Sequence, residues 1–404
     1  MMLKGRYVVP VGGPVIENGG VVIRNGRIAA VGRAADLHEP PDCDYGDAVI
    51  CPGFVNAHTH LELTHLAGKV PPSPDFVDWL KRLTGLLMAQ PATPDNVAGA
   101  VNAGIAQSLA AGVTTVGDVT RRPAWSRRTL KPSAIRAVSY GEVIAMGRLR
   151  THLDERLEAA ASIEHQTDRL RIGLSPHSPY TVEPDGLRAC ADRGRRMAAP
   201  LCIHLAETAE EEKFTQSRDG RLADFLQEMG IGDEDIPTSD CTPVELCRAT
   251  GVLGKSTIVA HGNYMNDEDT TIIAQSGSSV AYCPRTHHAF GHPTHPFRDM
   301  LRAGVNVCIG TDSLASNPSL SVLDELRFLH RRHPDVATHE LMAMGTIHGA
   351  AALGYSDVCG SLTVGKAADL VVLPLEGGGR WESLLESAQT PVAVFIDGVQ
   401  HFRA

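Results

Sequence analysis

The sequence has no run of lysine or arginine residues, and its formal net charge is −10. Because nucleic-acid-binding proteins present basic patches, this charge argues against nucleic acid as the main partner. No apolar segment reaches membrane-spanning length, and residues 1–6 are not followed by the apolar core of a signal peptide. We therefore expect a protein that does not bind membranes.

The nine cysteines are scattered, and no two of them form a CxxC pair. This pattern predicts free thiols in a reducing cytoplasm rather than a disulfide framework. With 404 residues, 43% hydrophobic and 21% charged, the chain has a globular composition and room for one large domain and a small one. Histidine is abundant, with 18 residues, and its placement is more informative than its number.

Short apolar runs at both ends of the chain predict β-strands. Near the N-terminus these runs are separated by Asn-Gly pairs, which are a strong hairpin signal. Similar runs occur at 368–373 and 392–399. Since each end alone has too few strands to bury a core, we predict that residues 1–50 and 360–404 together form a small β-sandwich domain.

The middle of the chain alternates predicted strands with predicted helices. The strand candidates are 49–62, 113–119, 136–144, 171–176, 200–204, 256–261, 278–283 and 306–310. Apolar residues recur at helical spacing over 76–87, 97–109, 322–329 and 341–351. This α/β alternation predicts a closed (β/α)8 TIM-like barrel over residues 51–359. A doubly wound open sheet is the alternative, but no GxGxxG turn follows any strand.

The opening strand candidate ends in His58-Thr59-His60. Alternate side chains of a strand point to the same side, so His58 and His60 are expected to share one face. Two imidazoles placed in this way suit a metal such as zinc. A His-x-His pair in a surface loop is the simpler interpretation. It is rejected only if the other predicted strands also end in residues that can bind a metal.

Barrel enzymes carry their chemistry at the C-terminal ends of the strands. Five of the predicted strand ends have a histidine or an aspartate where the apolar run stops. These residues are His58 with His60, His177, His204, His261 and Asp312. Each one alone is more often an ordinary core or rim residue. Their occurrence on one rim predicts a common site.

The residue types predict a site for one divalent metal ion. His58, His60 and His204 are neutral nitrogen ligands, and Asp312 is an anionic oxygen ligand, which leaves a position for water. Such an ion lowers the pKa of its water from ~16 toward ~7, so that hydroxide is available at neutral pH. Asp312 can also accept a proton from the water, and His261 can orient the water or stabilise charge on the attacked centre.

Glu207 lies three residues after His204, where the strand turns into a helix seeded by 208–212. We predict that Glu207 protonates a substrate nitrogen and carries the proton to the leaving group. The alternative is an ordinary acid in the first helical turn that interacts with the helix dipole.

These motifs resemble the amidohydrolase superfamily. The matching segments are 52–60, His204 with Glu207, His261 and 310–312. More narrowly, they resemble its branch of cytosine, guanine, adenosine-type and S-adenosylhomocysteine deaminases and triazine chlorohydrolases. The similarity covers nearly the whole chain, including a split β-sandwich to which residues 360–371 return.

The resemblance implies a cytoplasmic hydrolytic deaminase with one metal ion, zinc or alternatively iron. Binuclear members of the family use a carboxylated lysine at the fourth strand end, where this chain has His177. In adenosine-type deaminases this histidine position touches the ring or ribose of the substrate. The alternative is that His177 supports a metal ligand. Barrels of this kind often pair, so a homodimer is compatible with the sequence.

Glu62 and the segment 75–80 look most like the aminodeoxyfutalosine deaminases of the alternative menaquinone route. This likeness implies a small-molecule substrate of the purine nucleoside type, aminodeoxyfutalosine or a 5′-modified adenosine. Trp79 would stack on the purine, or belong to the core stripe of its helix. Glu62 would accept hydrogen bonds from the adenine edge, or be a rim acid.

The seventh strand end departs from the branch, which usually shows Cys-Pro-x-Ser-Asn. Here Thr286 and His287 replace the Ser-Asn pair. The histidines at 287, 288, 292 and 295 would line the pocket, add a metal contact or lie exposed. Arg285 would bind a carboxylate or ribose, or pair with a local acid.

Other activities compete with the nucleoside deaminase. They are a guanine- or cytosine-type deaminase, a chlorohydrolase and a cyclic amide hydrolase. A non-catalytic barrel that serves as a scaffold is a further alternative. Such proteins usually lose metal ligands, and here none is missing.

Overall fold

The computed structural model describes residues 1–232, 238–377 and 379–404. The strands, numbered along the chain, are β1 (Met2–Val8), β2 (Ile16–Arg24), β3 (Arg27–Arg33), β4 (Cys43–Asp44), β5 (Ala48–Pro52), β6 (Phe54–Thr59), β7 (Val113–Thr120), β8 (Arg136–Val143), β9 (Leu170–Pro176), β10 (Leu201–Leu205), β11 (Thr257–His261), β12 (Ser279–Tyr282), β13 (Asn306–Ile309), β14 (Leu370–Pro374), β15 (Ala393–Ile396) and β16 (Val399–Arg403).

The α-helices, numbered in the same way, are α1 (Phe76–Ala89), α2 (Pro94–Ala110), α3 (Pro123–Leu130), α4 (Leu153–Ala161), α5 (Pro184–Met197), α6 (Ala209–Ser217), α7 (Arg221–Glu228), α8 (Pro243–Ala249), α9 (Asp267–Ser276), α10 (Pro284–Ala289), α11 (Phe297–Arg302), α12 (Val322–Arg332), α13 (Thr338–Met344) and α14 (Ile347–Ala352). Within the described ranges, none of them is both long enough and apolar enough to span a membrane.

The barrel consists of β6 to β13, which pair in parallel in the order of the chain. It closes between its first and last strands, where the backbone N–H groups of Thr311 and Asp312 donate hydrogen bonds of 3.0 and 3.1 Å to the carbonyl of His58. The predicted (β/α)8 barrel is therefore confirmed. Closure also places the residues after β13 beside the end of β6.

The two ends of the chain meet in a second sheet, as the sequence predicts. Its strands follow the order β16-β15-β14-β5-β1-β2-β3, and β4 pairs with β1. The central pairing joins β5 antiparallel to β14, so both ends are needed for its core. The division into domains 1–50 plus 360–404 and 51–359 stays a prediction.

The opening stretch 49–62 is not one strand, which corrects the sequence interpretation. It divides at Gly53 into β5, in the sheet of the chain ends, and β6, in the barrel. A Cβ atom on Gly53 would lie 2.2 Å from Thr114 Oγ1, so the crossing between the sheets has no room for a side chain. The break is invisible in the hydrophobic pattern because both strands are fully buried.

The predicted final helix over 341–351 is also two helices, α13 and α14. Thr346 separates them with φ −137° and ψ −86°, and its hydroxyl donates to the carbonyl of Met342 at 2.6 Å. Leu341 and Ala350 are both buried, so the apolar pattern continues across the bend. The other three predicted helical segments are confirmed as α1, α2 and α12.

Candidate active site

The C-terminal rim of the barrel brings the predicted ligand residues together. His58 lies in β6, His204 in β10 and His261 at the end of β11. His60 directly follows β6, and Asp312 is the third residue after β13. All five side chains are buried. The rim is therefore a polar cluster enclosed by the apolar barrel.

The histidine rings of this cluster are in mutual contact. The ring centroid of His58 lies 5.0 Å from that of His60 and 4.9 Å from that of His204. His60 Nε2 and His204 Nε2 are 3.2 Å apart. A candidate ligand nitrogen from each of the three residues lies within 4.8 Å of the others. This spacing suits nitrogens that share one metal ion.

Asp312 completes the cluster from the last strand. Its Oδ1 lies 3.8 Å from His58 Nε2 and 3.5 Å from His60 Nε2. Its Oδ2 accepts a hydrogen bond from the hydroxyl of Ser316. The backbone of Asp312 is left-handed, with φ +57°, a costly conformation that turns the chain out of β13. Burial raises the pKa of Asp312 to about 6.

The protonation pattern of these imidazoles fits a metal ion. His204 Nδ1 faces the carbonyl of His177 at 2.9 Å, so it carries the proton and leaves a lone pair on Nε2. His58 Nε2 is buried and has no hydrogen-bond partner within the described part of the chain. Burial and the neighbouring histidines lower the pKa values of His58 and His60, which favours the neutral, ligating form. The donor set is that of a divalent ion of the zinc type.

Glu207 faces the cluster next to His261. Its Oε1 lies 3.5 Å from His261 Nε2. Burial, the charge of Asp312 and the charge of Glu211 raise the pKa of Glu207 well above its ordinary value. A carboxyl in this environment retains a proton that it can give to a substrate atom.

The backbone of Glu207 is fixed from two sides. Glu211 accepts hydrogen bonds from the N–H groups of Ala206, at 3.0 Å, and Glu207, at 2.8 Å. Asn263 Nδ2 donates to the carbonyl of Glu207 at 3.0 Å. Thr208 is the N-cap of α6, so Glu207 lies before the helix and not in its first turn.

His177 contacts the cluster through both its backbone and its ring. Its carbonyl orients His204, as described above, and the two ring centroids are 4.8 Å apart. Its Nδ1 lies 2.7 Å from the hydroxyl of Thr181, and its Nε2 lies 4.0 Å from Glu142 Oε1. Burial and the charge of Arg121 lower the pKa of His177 to about 3. These contacts fit the supporting role of His177 that was predicted as the alternative to substrate binding, and its side chain stays 20% exposed.

Glu62 is buried and bonded to the end of the neighbouring strand. Its Oε1 accepts a hydrogen bond of 2.8 Å from the backbone N–H of Arg121, and its Oε2 accepts one of 2.8 Å from the hydroxyl of Thr120. These bonds tie the turn after β6 to the end of β7. Glu62 can therefore accept hydrogen bonds from a substrate only with the carboxylate lone pairs that these two bonds leave unused.

Trp79 lies in an aromatic cluster between α1 and α10. Its ring contacts Phe76 and Phe290, with centroids 5.7 and 4.9 Å away, and its Nε1–H donates to the carbonyl of Val70 at 3.1 Å. The indole is almost fully buried. This environment favours the core interpretation over stacking on a purine.

Arg285 pairs with acids of its own neighbourhood. Its backbone N–H donates to Glu325 Oε2 at 2.8 Å, and its Nη1 donates to the hydroxyl of Ser319 at 2.8 Å. Asp324 lies 3.8 Å from the same Nη1. The structure therefore gives Arg285 the local partners that were the alternative to substrate binding.

The four histidines after β12 have different environments. His295 Nε2 donates to the carbonyl of His261 at 2.9 Å, and its ring stacks on Tyr282 at a centroid distance of 3.7 Å. His287 is buried, and its ring centroid lies 5.5 Å from that of His292. His288 is exposed. The loop after β12 therefore holds the end of β11 in place through the hydrogen bond of His295 to the carbonyl of His261.

Two polar residues at this rim were missed in the sequence. Glu142 lies one residue before the end of β8, and Arg121 directly follows β7. Both occupy the C-terminal end of a predicted strand, the position that identified the histidines. A search for any charged residue at a strand end, and not only for metal ligands, would have found them.

Fold and site together define a TIM-barrel protein with a histidine-rich centre at its C-terminal rim. The chain belongs to the amidohydrolase family, which matches residues 49–400. The 5-methylthioadenosine/S-adenosylhomocysteine deaminase of Moorella thermoacetica is 29% identical over 391 residues, or 93% of this chain and 86% of that protein. The chain is a hydrolase of carbon–nitrogen bonds, similar to deaminases.

Solved structures of other proteins have the same fold. An adenosine deaminase from Xanthomonas campestris with bound zinc is 26% identical, with a TM-score of 0.84 over 100% of this chain and 92% of that one. The aminofutalosine deaminase of Helicobacter pylori is 23% identical, with a TM-score of 0.87 over 99% of this chain and 100% of that one.

Proposed function

We propose that the protein is a metal-dependent hydrolytic deaminase of purine nucleosides, which releases ammonia from aminodeoxyfutalosine or a 5′-modified adenosine. The observation that carries this proposal is the position of Glu207, a buried acid whose raised pKa favours the protonated form, 3.5 Å from His261 and beside four ligand-type side chains. A proton donor next to a metal-type donor set is the arrangement that hydrolysis of an aromatic amine requires.

His58, His60, His204 and Asp312 would hold one divalent ion, zinc or iron. When bound, the ion would polarise a water molecule and make it a nucleophile at neutral pH. The zinc of the Xanthomonas campestris adenosine deaminase supports this assignment. The buried, unpartnered Nε2 of His58 supports it from this chain.

The side chains of this chain then divide the proton transfers between them. The Glu207 carboxyl donates its proton to the ring nitrogen beside the amino-bearing carbon, which makes that carbon electrophilic. His261 Nε2 and the Asp312 carboxylate hydrogen-bond the attacking water, and Asp312 accepts one of its protons as the carbon–oxygen bond forms. The ionised Glu207 then takes the remaining proton of the added hydroxyl and passes it to the amino group, the carbon–nitrogen bond breaks, and ammonia and a 6-oxopurine that keeps the first proton on its ring nitrogen are released. The proton on Asp312 then passes to Glu207, which restores both side chains.

The nucleoside assignment rests on relatives. The Moorella thermoacetica relative is named for deamination of methylthioadenosine and S-adenosylhomocysteine, and a relative from Methanoregula boonei is named 5′-deoxyadenosine deaminase. The Helicobacter pylori structure is named for aminofutalosine. These substrates share an adenine base and differ at the 5′ carbon, so the reacting end of the substrate is common to them.

Replacing Glu207 tests the proposal. The variant Glu207→Gln should retain bound metal and lose ammonia release by about 10²- to 10⁴-fold, because glutamine cannot transfer the proton. Activity should be measured by ammonia release from aminodeoxyfutalosine and 5′-modified adenosines. Guanine and cytosine should be assayed separately as the alternative substrates. Metal content should be measured on the same samples.

Glu212→Gln is the matched control, since Glu212 lies on the partly exposed side of α6. It should keep the activity of the parent protein. Full turnover by Glu207→Gln would remove the proton-transfer role. Activity confined to guanine or cytosine would overturn the nucleoside assignment.

A further inference from the structure

The acid at the third position of helix α6 forms hydrogen bonds that an ordinary helix cap does not explain. Thr208 is the N-cap of α6, and its hydroxyl accepts the N–H of Glu211 at 3.2 Å. In a capping box, the carboxyl of the third residue returns to the N–H of the N-cap residue. Here the two carboxyl oxygens of Glu211 accept the N–H groups of Ala206, at 3.0 Å, and Glu207, at 2.8 Å. The carboxyl therefore holds the chain ahead of the helix, at the residue that faces the ligand cluster.

Helices α8 and α9 show the ordinary arrangement in the same protein. Glu245 accepts the N–H of its N-cap residue Thr242 at 2.9 Å, and Asp269 accepts the N–H of its N-cap residue Asn266 at 3.4 Å. Both pairs form complete capping boxes. The reach of Glu211 is therefore not a general property of acids at this helix position in this chain.

The turn that Glu211 holds is strained. Ala206 has φ +52°, in the left-handed region that alanine rarely adopts. The loop after β11 holds the carbonyl side of the turn, because the N–H of Tyr264 donates to the carbonyl of Ala206 at 2.9 Å and Asn263 donates to the carbonyl of Glu207 at 3.0 Å. Glu211 holds the N–H side. Strain of this kind persists only where the surroundings hold it, so the direction of Glu207 depends on Glu211.

The side chain of Glu211 is enclosed in the protein. Glu211 is 0% exposed, and its own carbonyl accepts the hydroxyl of Thr215 at 2.9 Å. Burying a carboxyl group is unfavourable unless hydrogen bonds compensate it. The compensating donors here are the N–H groups of the turn that carries Glu207. A turn needed only for the fold could reach the left-handed region with a glycine and would require no buried acid.

We propose that Glu211 is a positioning residue of the active site, which holds the carboxyl of Glu207 in the direction from which it transfers protons to the substrate. This inference rests on the proposed deaminase function and goes beyond it, because it assigns a role in the reaction to a residue that does not face the ligand cluster. Glu211 acts through the backbone of Glu207, and its removal should affect the proton transfers and not the binding of metal.

The first test is Glu211→Asp. The shorter acid should close an ordinary capping box, as Asp269 does in α9, so that α6 is kept and the bonds to Ala206 and Glu207 are lost. We expect kcat to fall by about 10- to 100-fold with little change in KM or bound metal, the loss typical of a reacting group misplaced by about 1 Å. Glu211→Gln, which keeps the length and loses one of the two acceptors, should show the same division between kcat and KM. Glu212→Gln, on the partly exposed side of the same helix, is the control and should keep the kcat of the parent.

A double variant separates positioning from a general structural effect. Once Glu207→Gln has removed the proton transfer, Glu211 has nothing left to position. The variant with both Glu207→Gln and Glu211→Asp should therefore be as slow as Glu207→Gln alone, measured in single turnovers with the enzyme in excess. A further loss of the full 10- to 100-fold would overturn the proposal. So would a Glu211→Asp variant that keeps the kcat of the parent, or one whose lost activity follows lost metal.

Hydrogen exchange tests the inference without a substrate. The amides of Ala206 and Glu207 should exchange slowly in the parent, and about tenfold faster or more in Glu211→Asp, with no change in Glu212→Gln. A parent protein that shows these rates and releases no ammonia from any of the nucleosides would contradict the deaminase assignment and leave the hold of Glu211 on the turn intact. Ammonia release with equal exchange in the parent and in Glu211→Asp would contradict the positioning role alone.

Discussion

His261 has a backbone conformation that residues other than glycine rarely adopt, with φ +75° at the end of β11. Its ring faces Glu207, and its carbonyl accepts the hydrogen bond of His295. Backbone strain of this kind persists only where the surroundings hold it. His295, which stacks on Tyr282, holds this backbone conformation through its hydrogen bond to the carbonyl of His261.

Replacing His295 by phenylalanine isolates this hydrogen bond, because the stacking on Tyr282 is kept. We expect His295→Phe to lower kcat about tenfold, since the loss of one such bond frees the turn by roughly 1 kcal/mol. KM and bound metal should not change. Steady-state kinetics and metal analysis check this, with His288→Phe, at an exposed position, as control. Equal kcat values for the two variants would contradict a positioning role for His295.

At the scale of the elements, the site depends on how strands end. The sequence predicted every barrel strand, because an apolar run that stops at a polar residue is a local signal. It did not predict the break at Gly53, where both strands are fully buried, or the bend at Thr346, across which the apolar pattern continues. It also left the role of Arg285 open between substrate binding and pairing with a local acid, because its acidic partners come from α12 and are distant in sequence.

The crossing at Gly53 leads to a prediction about stability. Gly53→Ala would place a Cβ atom 2.2 Å from Thr114 Oγ1, and we expect it to lower the free energy of unfolding by about 1–3 kcal/mol. Gly99→Ala is the control, because Gly99 lies in α2 with nothing within 4 Å of the added atom. Its effect should be a stabilisation of up to about 1 kcal/mol. Urea denaturation measures both, and a neutral Gly53→Ala would show that the two sheets can shift apart.

At the scale of the whole molecule, the barrel and the sheet of the chain ends are joined by a buried ion pair. Arg136, at the start of β8, donates from Nε to Asp369 Oδ2 at 2.6 Å, and it also contacts Asp397. Breaking such a pair on one side leaves a buried charge without a partner. The two parts of the chain therefore depend on each other electrostatically as well as through packing.

A pH dependence of stability follows from another buried acid, Asp118 in β7. Burial raises its pKa to about 8. Below about pH 4 the folded and unfolded states both hold the proton, and between about pH 4 and 8 only the folded state does. The free energy of unfolding should therefore fall as pH rises through this window, by up to about 1.4 kcal/mol per pH unit from this group. Above the folded pKa the dependence should end.

Asp118→Asn should flatten this slope, because asparagine mimics the neutral acid and keeps the acceptor for the N–H of Leu61. Urea midpoints at three pH values between 5 and 8 measure it. Asp95→Asn, at an exposed position of α2, should leave the slope unchanged. An unaltered slope in Asp118→Asn would mean that Asp118 is ionised in the native protein.

The seam of the barrel has a consequence for biosynthesis. His58 and Asp312 meet only because the last barrel strand docks against the first. A nascent chain on the ribosome that already exposes its early histidines still lacks the carboxylate that completes the set. An ion held by these residues as we propose would therefore meet its complete ligand set only after translation has passed β13, so that metal loading would come late in the life of each molecule.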